Sequence, residues 1–189
     1  MAASKDMYLD QKGEVIEGKS TGTALASGIP GTIAGIFEVH KKYGSLPMNE
    51  IVEPVIALAE KGVIITKFQA ESLNNNREFF TKINGRNSLF SKVYKENDTI
   101  KYTALAATLK RIAKNGRDEF YKGETAQKLV DFLAKKGGIA TMEDLNSYKA
   151  KWRTPITFQY KNLKITSMSP PSSGGICLNQ IMKMIEPFN

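Results

Sequence analysis

Apolar positions recur every three to four residues through most of this chain, and every second residue only near its end. Over residues 31–42, Ile33, Ile36 and Phe37, with His40 at i+7, mark one face of a helix that stops at Gly44. Pro30 precedes it, where a first helical turn tolerates proline. His40 on such a stripe reads as a packing residue rather than a catalytic one. Residues 48–61 form a second helix closed by Gly62, with Ile51, Val55, Ile56, Leu58 and Ala59 as its buried set. Pro54 marks a late start or a kink. A third helix is expected over 67–83, carrying Phe68, Leu73, Phe79 and Phe80 and ending at Gly85. The asparagines at 74–76 weaken it, since Asn favours caps and turns. Residues 86–102 are turn-rich, with room for a short β-bridge. Thr103 is expected to cap a helix over 104–114 with Leu105, Leu109 and Ile112 on one face, and Asn115-Gly116 stops it. Residues 117–123 read as one helical turn with two aromatic anchors. A helix over 125–135 turns Ala126, Leu129, Val130, Phe132 and Leu133 inward and breaks at Gly137-Gly138. Thr141-Met-Glu-Asp144 is a capping box that opens a short helix to Tyr148.

After that the period changes. Residues 156–160 and 163–168 alternate as strands do, and Lys161-Asn162 between them predicts a hairpin. A last helix over 175–186 is expected to bury Ile176, Leu178, Ile181, Met182 and Ile185 and to end at Pro187. The first 30 residues look irregular, apart from a short strand at Val15-Ile16. The fold class is therefore α+β and predominantly helical: a helical cluster over 27–150, then a hairpin and helix over 153–189. Together they make a single partial domain over 1–189. A lone hairpin is marginal in water, because a sheet needs three or more strands. The hairpin is expected to belong to a larger sheet whose other strands lie outside this sequence. Its unpaired edges are also a route to self-association.

The stretch joining the second strand to the last helix, Ser167-Met-Ser-Pro-Pro-Ser-Ser-Gly-Gly175, is a stiff polar elbow. Pro170 and Pro171 fix φ and stop the strand. Ser172 and Ser173 offer hydroxyls at the expected N-cap, and Gly174 and Gly175 bring bare backbone amides close to whatever lies above the helix end. Such a terminus can hold a carboxylate or an oxyanion. A capped helix after a tight turn explains the same residues, and the local sequence leaves both uses open.

The net charge of +8 permits an anionic partner, but the lysines are spread along the chain and mixed with acids. No Lys/Arg block or nucleic-acid motif appears, so a solvated surface is expected and no nucleic-acid partner. Cys177 is the single cysteine, which excludes a disulfide framework and a thiolate metal site. Within the last helix it reads as a small core residue. One histidine excludes a multi-His zinc site. No apolar run is long enough to span a bilayer, and Met1-Ala-Ala-Ser-Lys5 lacks the apolar core of an export signal.

Two blocks, Ser27-Gly-Ile-Pro-Gly-Thr32 and Met168-Ser-Pro-Pro-Ser-Ser-Gly-Gly175, resemble the γ-glutamyltranspeptidases. Tyr43-Gly-Ser-Leu-Pro47, Asp118-Glu-Phe-Tyr-Lys-Gly123, Gly137-Gly-Ile-Ala-Thr-Met-Glu-Asp-Leu145, Tyr148-Lys-Ala150 and Arg153-Thr-Pro-Ile156 resemble that family in the same order. The resemblance implies an N-terminal-nucleophile hydrolase fold with αββα layers, and γ-glutamyl transfer or hydrolysis on glutathione and related amides. It implies a precursor cut into large and small subunits, the small one opening on the Thr nucleophile, and no cofactor or metal. Only the middle and later part of the large subunit is matched. The nucleophile, the small subunit and the rest of the large subunit are then missing, and no catalytic residue lies in this chain. The family's substrate-carboxylate arginine falls upstream, and none of Arg77, Arg86, Arg111, Arg117 and Arg153 takes its role. The piece alone is expected to be inactive, with the elbow Ser172, Ser173, Gly174 and Gly175 beside the active-site cleft. Family membership also implies a periplasmic or extracellular location. A stand-alone helical binding module without catalysis is the alternative.

Overall fold

The computed structural model describes residues 3–188, so Met1, Ala2 and Asn189, at the ends of the expected ranges, lie outside it. The chain divides into two compact units, Met1–Lys149 and Ala150–Asn189.

The first unit is a cluster of helices: α1 (Thr32–Tyr43), α2 (Met48–Lys61), α3 (Lys67–Asn75), α4 (Arg77–Asn84), α5 (Thr103–Asn115), α6 (Arg117–Lys122), α7 (Glu124–Lys135) and α8 (Met142–Asn146). Two-residue strands β1 (Val63–Ile64) and β2 (Thr99–Ile100) pair antiparallel and staple α2 to α5. Val15 forms only an isolated bridge to Leu9. Helix α2 packs mainly on α5, with Ile56, Ala59 and Ala106 as the buried knot and Val52, Leu109 and Ala113 around it. The inward stripe of α2 is therefore 52, 56 and 59. Ile51, Val55 and Leu58, expected inside, are exposed, because a single partner helix covers only one narrow face. Pro54 sits within α2 without breaking it. Leu105 and Phe132 are likewise exposed, and α5 starts at Thr103 with no side-chain cap.

The third expected helix is two helices. Asn76 ends α3 by donating from Nδ2 to the Ser72 carbonyl (2.8 Å), and α4 starts on the next residue. Asn74 has a different use: its Nδ2 donates to the Tyr94 carbonyl (2.8 Å) and its Oδ1 accepts the Tyr94 N–H (3.0 Å). That amide stands in for a strand and holds the segment before β2 against the cluster of Ile65, Ala70, Tyr94 and Ile100. Phe68 and Phe79 are exposed, while Phe80 packs against Phe90 at 5.5 Å between ring centroids. Thr66 and Gln69 form a capping box at the start of α3, and Thr141 and Asp144 form the expected one at α8.

Tyr121 on α6 is fully buried, and burial pushes its phenol up from the usual range. Its hydroxyl donates to the Pro30 carbonyl (2.7 Å) and accepts the Ala34 N–H (3.0 Å), which fixes the start of α1. Tyr121→Phe leaves the buried Ala34 amide without its partner. The variant is expected to lose about 1–3 kcal/mol of unfolding free energy in chemical denaturation.

The second unit is a hairpin and a helix. Strands β3 (Ile156–Tyr160) and β4 (Leu163–Ser167) pair antiparallel from Ile156↔Ser167 to Tyr160↔Leu163, with Lys161 in the left-handed region at the turn. Helix α9 (Gly174–Ile185) packs against both strands. The Lys161 N–H donates to Glu186 Oε1 (2.9 Å), tying the turn to the end of α9. Of α9 only Gly175 is buried. Ile176, Ile181 and Ile185 are exposed, contrary to the expected buried set, and Leu178 and Met182 are half-buried. A two-stranded ribbon offers too little surface to cover a whole helix face. Cys177, expected in the core, is exposed for the same reason.

Candidate functional site

At the elbow, the Ser172 N–H closes a four-residue turn on the Ser169 carbonyl (3.3 Å), around a cis Pro170–Pro171 peptide. Ser172 Oγ accepts the Gly174 N–H at 3.3 Å. Ser173, expected to share the capping, sits at the N-cap in helical conformation with no side-chain cap bond. The next amides, of Gly175 and Ile176, fall in the turn where a helix leaves N–H groups without intrahelical partners. Gly175 is where the helix meets the strand: a Cβ there would lie 2.3 Å from the Met168 carbonyl oxygen. Only glycine allows α9 to start so close to the end of β4. One turn along α9, Asn179 Oδ1 is buried without a hydrogen-bond partner.

Within the first unit, three of the sequence blocks meet. The ring of Tyr148 stacks on Tyr121 at 5.7 Å between centroids, 3° from parallel. Arg117 covers Tyr121 at 4.3 Å and donates to the Tyr148 carbonyl. A Cβ at Gly31 would lie 2.2 Å from the Tyr148 hydroxyl, so this glycine is set by close approach. The segment 27–32, the 118–123 turn and Tyr148 are thus one packed cluster, though they lie far apart in sequence. His40 Nε2 donates to the Leu46 carbonyl (2.7 Å) across the turn after α1.

Glu119 is a buried carboxylate that the sequence pattern does not announce. Burial pushes its pKa up, but hydrogen bonds from Arg111 Nε (2.9 Å), Thr125 Oγ1 (2.9 Å) and the Thr125 N–H (3.2 Å) outweigh this and hold it below the usual range. Such an arrangement keeps the group charged and anchored, which suits a structural ion pair. Among the described residues no three His, Cys, Asp or Glu side chains come together as a metal-binding group.

The γ-glutamyltranspeptidase family model matches residues 1–189, the whole chain. The chain belongs to the γ-glutamyltranspeptidase family. Among curated relatives, it is 41% identical to the glutathione hydrolase proenzyme of Escherichia coli over 99% of this chain, and 40% identical to that of Pseudomonas aeruginosa over 98%. In each case it spans 33% of the relative's length. The crystal structure of Helicobacter pylori γ-glutamyltranspeptidase superposes with a TM-score of 0.93 at 41% identity, over 99% of this chain and 55% of that one. The Pseudomonas nitroreducens γ-glutamyltranspeptidase gives 0.89 at 39% identity, over 98% of this chain and 55% of that one. The mostly helical fold with small antiparallel sheets is thus the family's own. Among the described residues no helix is long and apolar enough to cross a membrane.

Proposed function

We propose that these residues are the central and later part of the large subunit of a γ-glutamyl hydrolase or transferase acting on glutathione and related amides. The observation that carries this is a family match along the whole chain, at a third of the length of proenzymes named glutathione hydrolase. In this reading the attacking hydroxyl is the N-terminal Thr of a small subunit outside these residues. Its own amine acts as base, a γ-glutamyl-enzyme forms, and water or an acceptor amine resolves it. The chain supplies scaffold and wall. Its hairpin joins a larger sheet of αββα layers, and its elbow lies beside the cleft. There the first-turn amides of α9 face the negatively charged end of the substrate. The complete enzyme works in the periplasm or outside the cell.

The test is cleavage of γ-glutamyl-p-nitroanilide by two preparations. The full-length precursor carrying these residues is expected to turn it over after self-cleavage, and the 189 residues alone are expected to give none. Turnover by the 189 residues would place the nucleophile within them and overturn the proposal. An inactive, uncleaved full-length precursor would overturn it from the other side.

A further inference from the structure

A concave cleft of about 580 Å³ is lined by Arg77, Glu78, Thr81, Lys82, Arg86 and Ser91. Its walls are α4 and the short 3₁₀ turn Leu89–Ser91 that folds back on it. Ser91 is buried and its hydroxyl donates to the Gly85 carbonyl (2.9 Å), while the Phe80–Phe90 contact holds the two walls together. The Thr81 hydroxyl donates to the Arg77 carbonyl (2.7 Å). Both hydroxyl protons are therefore spent on backbone, and the donors left for a ligand are the three cations.

Many of the described lysines meet no carboxylate; what sets these three cations apart is that they converge on one cleft. Arg111 and Arg117 each meet a carboxylate, as do Lys110, Lys122, Lys128 and Lys183. Among the described residues, Arg77, Lys82 and Arg86 form no ion pair, although they line one cleft. Glu78 is the only carboxylate in the lining. Three positive charges against one negative leave a net of two. A phosphate monoester near neutral pH carries about the matching charge, −1.5 to −2. Two guanidinium forks can each grip its oxygens in pairs, which a single-point cation cannot.

We infer that this cleft binds a small phosphate-bearing dianion. The inference is independent of γ-glutamyl chemistry, because it uses no residue of the elbow. The ligand is held by exposed charges, so affinity is moderate, with Kd on the order of 1 mM at low salt, and it weakens as salt screens the cations.

The probe is inorganic phosphate, followed by ³¹P line broadening at constant ionic strength on the full-length protein. Saturable binding is expected. Arg86→Ala should weaken it about tenfold, the loss of one charge-assisted contact. Arg77→Ala with Arg86→Ala should abolish saturation. Glu78→Gln should tighten binding several-fold by removing the one opposing charge, which a merely structural cleft would not do. Lys110→Ala, on a lysine paired with Glu60, should leave binding unchanged. The inference is overturned by a response that does not saturate, by equal affinity in the double variant, or by no gain in Glu78→Gln. Arginine-dependent capture of phosphatidylglycerol vesicles in place of free phosphate would overturn it too.

Discussion

Replacing Arg111 with alanine is expected to cost about 3–5 kcal/mol of stability, because it strands a buried charge. Glu119 is 6% exposed, and its Oε1 collects all three of its donors. Arg111 also bonds the hydroxyls of Thr108 (3.3 Å) and Thr125 (3.1 Å) and approaches Glu124 (3.6 Å). Without it, two carboxylates face each other across the α5–α6–α7 junction, and one of them cannot reach water. For a unit of this size the midpoint of thermal unfolding should fall by roughly 6–20 °C. Arg111→Met combined with Glu119→Leu should recover most of the loss, since a buried ion pair replaced by apolar groups of similar volume is often neutral. The pH dependence gives a second check. In the wild type the folded pKa of Glu119 is depressed. Its contribution is therefore present above the unfolded carboxylate value of about 4.3 and is lost as pH falls through the folded value. In Arg111→Ala burial is no longer offset, the folded pKa rises, and the protonated form is the tolerated one. The gap between wild type and variant should therefore shrink as pH falls from 7 toward 4. A gap that stays constant in urea melts across that range would mean that Arg111 acts through packing alone.

What the sequence revealed and what it hid divide along physical lines. The helix boundaries set by glycine at 44, 62, 85 and 116, and the Thr141–Asp144 box, are local devices, and each acts where its residues stand. The Thr66–Gln69 box is equally local, and the same Thr-x-x-Gln signal would have found it. Burial is not local. Helical periodicity marks an apolar stripe but not how much of it a neighbour covers, so Leu58, Phe132 and Ile181 were expected inside and lie exposed. Polar side chains with distant partners were illegible. Asn74 reads as a helix breaker until Tyr94 is beside it, and Glu119 reads as a surface acid until α5 brings Arg111 to it. The elbow was legible as a shape, a strand stop followed by a helix start. Which serine caps was not: Ser172 reaches the Gly174 amide, whereas Ser173 already has helical backbone angles. The cluster around Tyr121 gives the resemblance a physical basis. Blocks that look independent along the chain are one packing unit, so each constrains the others.

Gly175→Ala tests whether the elbow does more than hold α9 in place. The added Cβ would meet the Met168 carbonyl oxygen at 2.3 Å and Ile156 Cδ1 at 3.3 Å. Isoleucine can rotate, but a backbone carbonyl at the end of β4 cannot, so the start of α9 must back away from the strand. Overpacking of this kind costs about 1–3 kcal/mol. The larger consequence is positional. Ser172 to Gly174 are bonded into the same turn and move with it. If the elbow lines the cleft, a displacement of about 1 Å in the wall of the site costs on the order of 10²-fold in turnover. The expected result is therefore a full-length Gly175→Ala enzyme that still folds and self-cleaves, but cleaves γ-glutamyl-p-nitroanilide about 100-fold more slowly per folded molecule. Tyr121→Phe, in the other unit and of similar cost to stability, should keep its turnover per folded molecule. Equal activity in the two variants would mean that the glycine serves only helix–strand packing, and the elbow would lose its place beside the substrate.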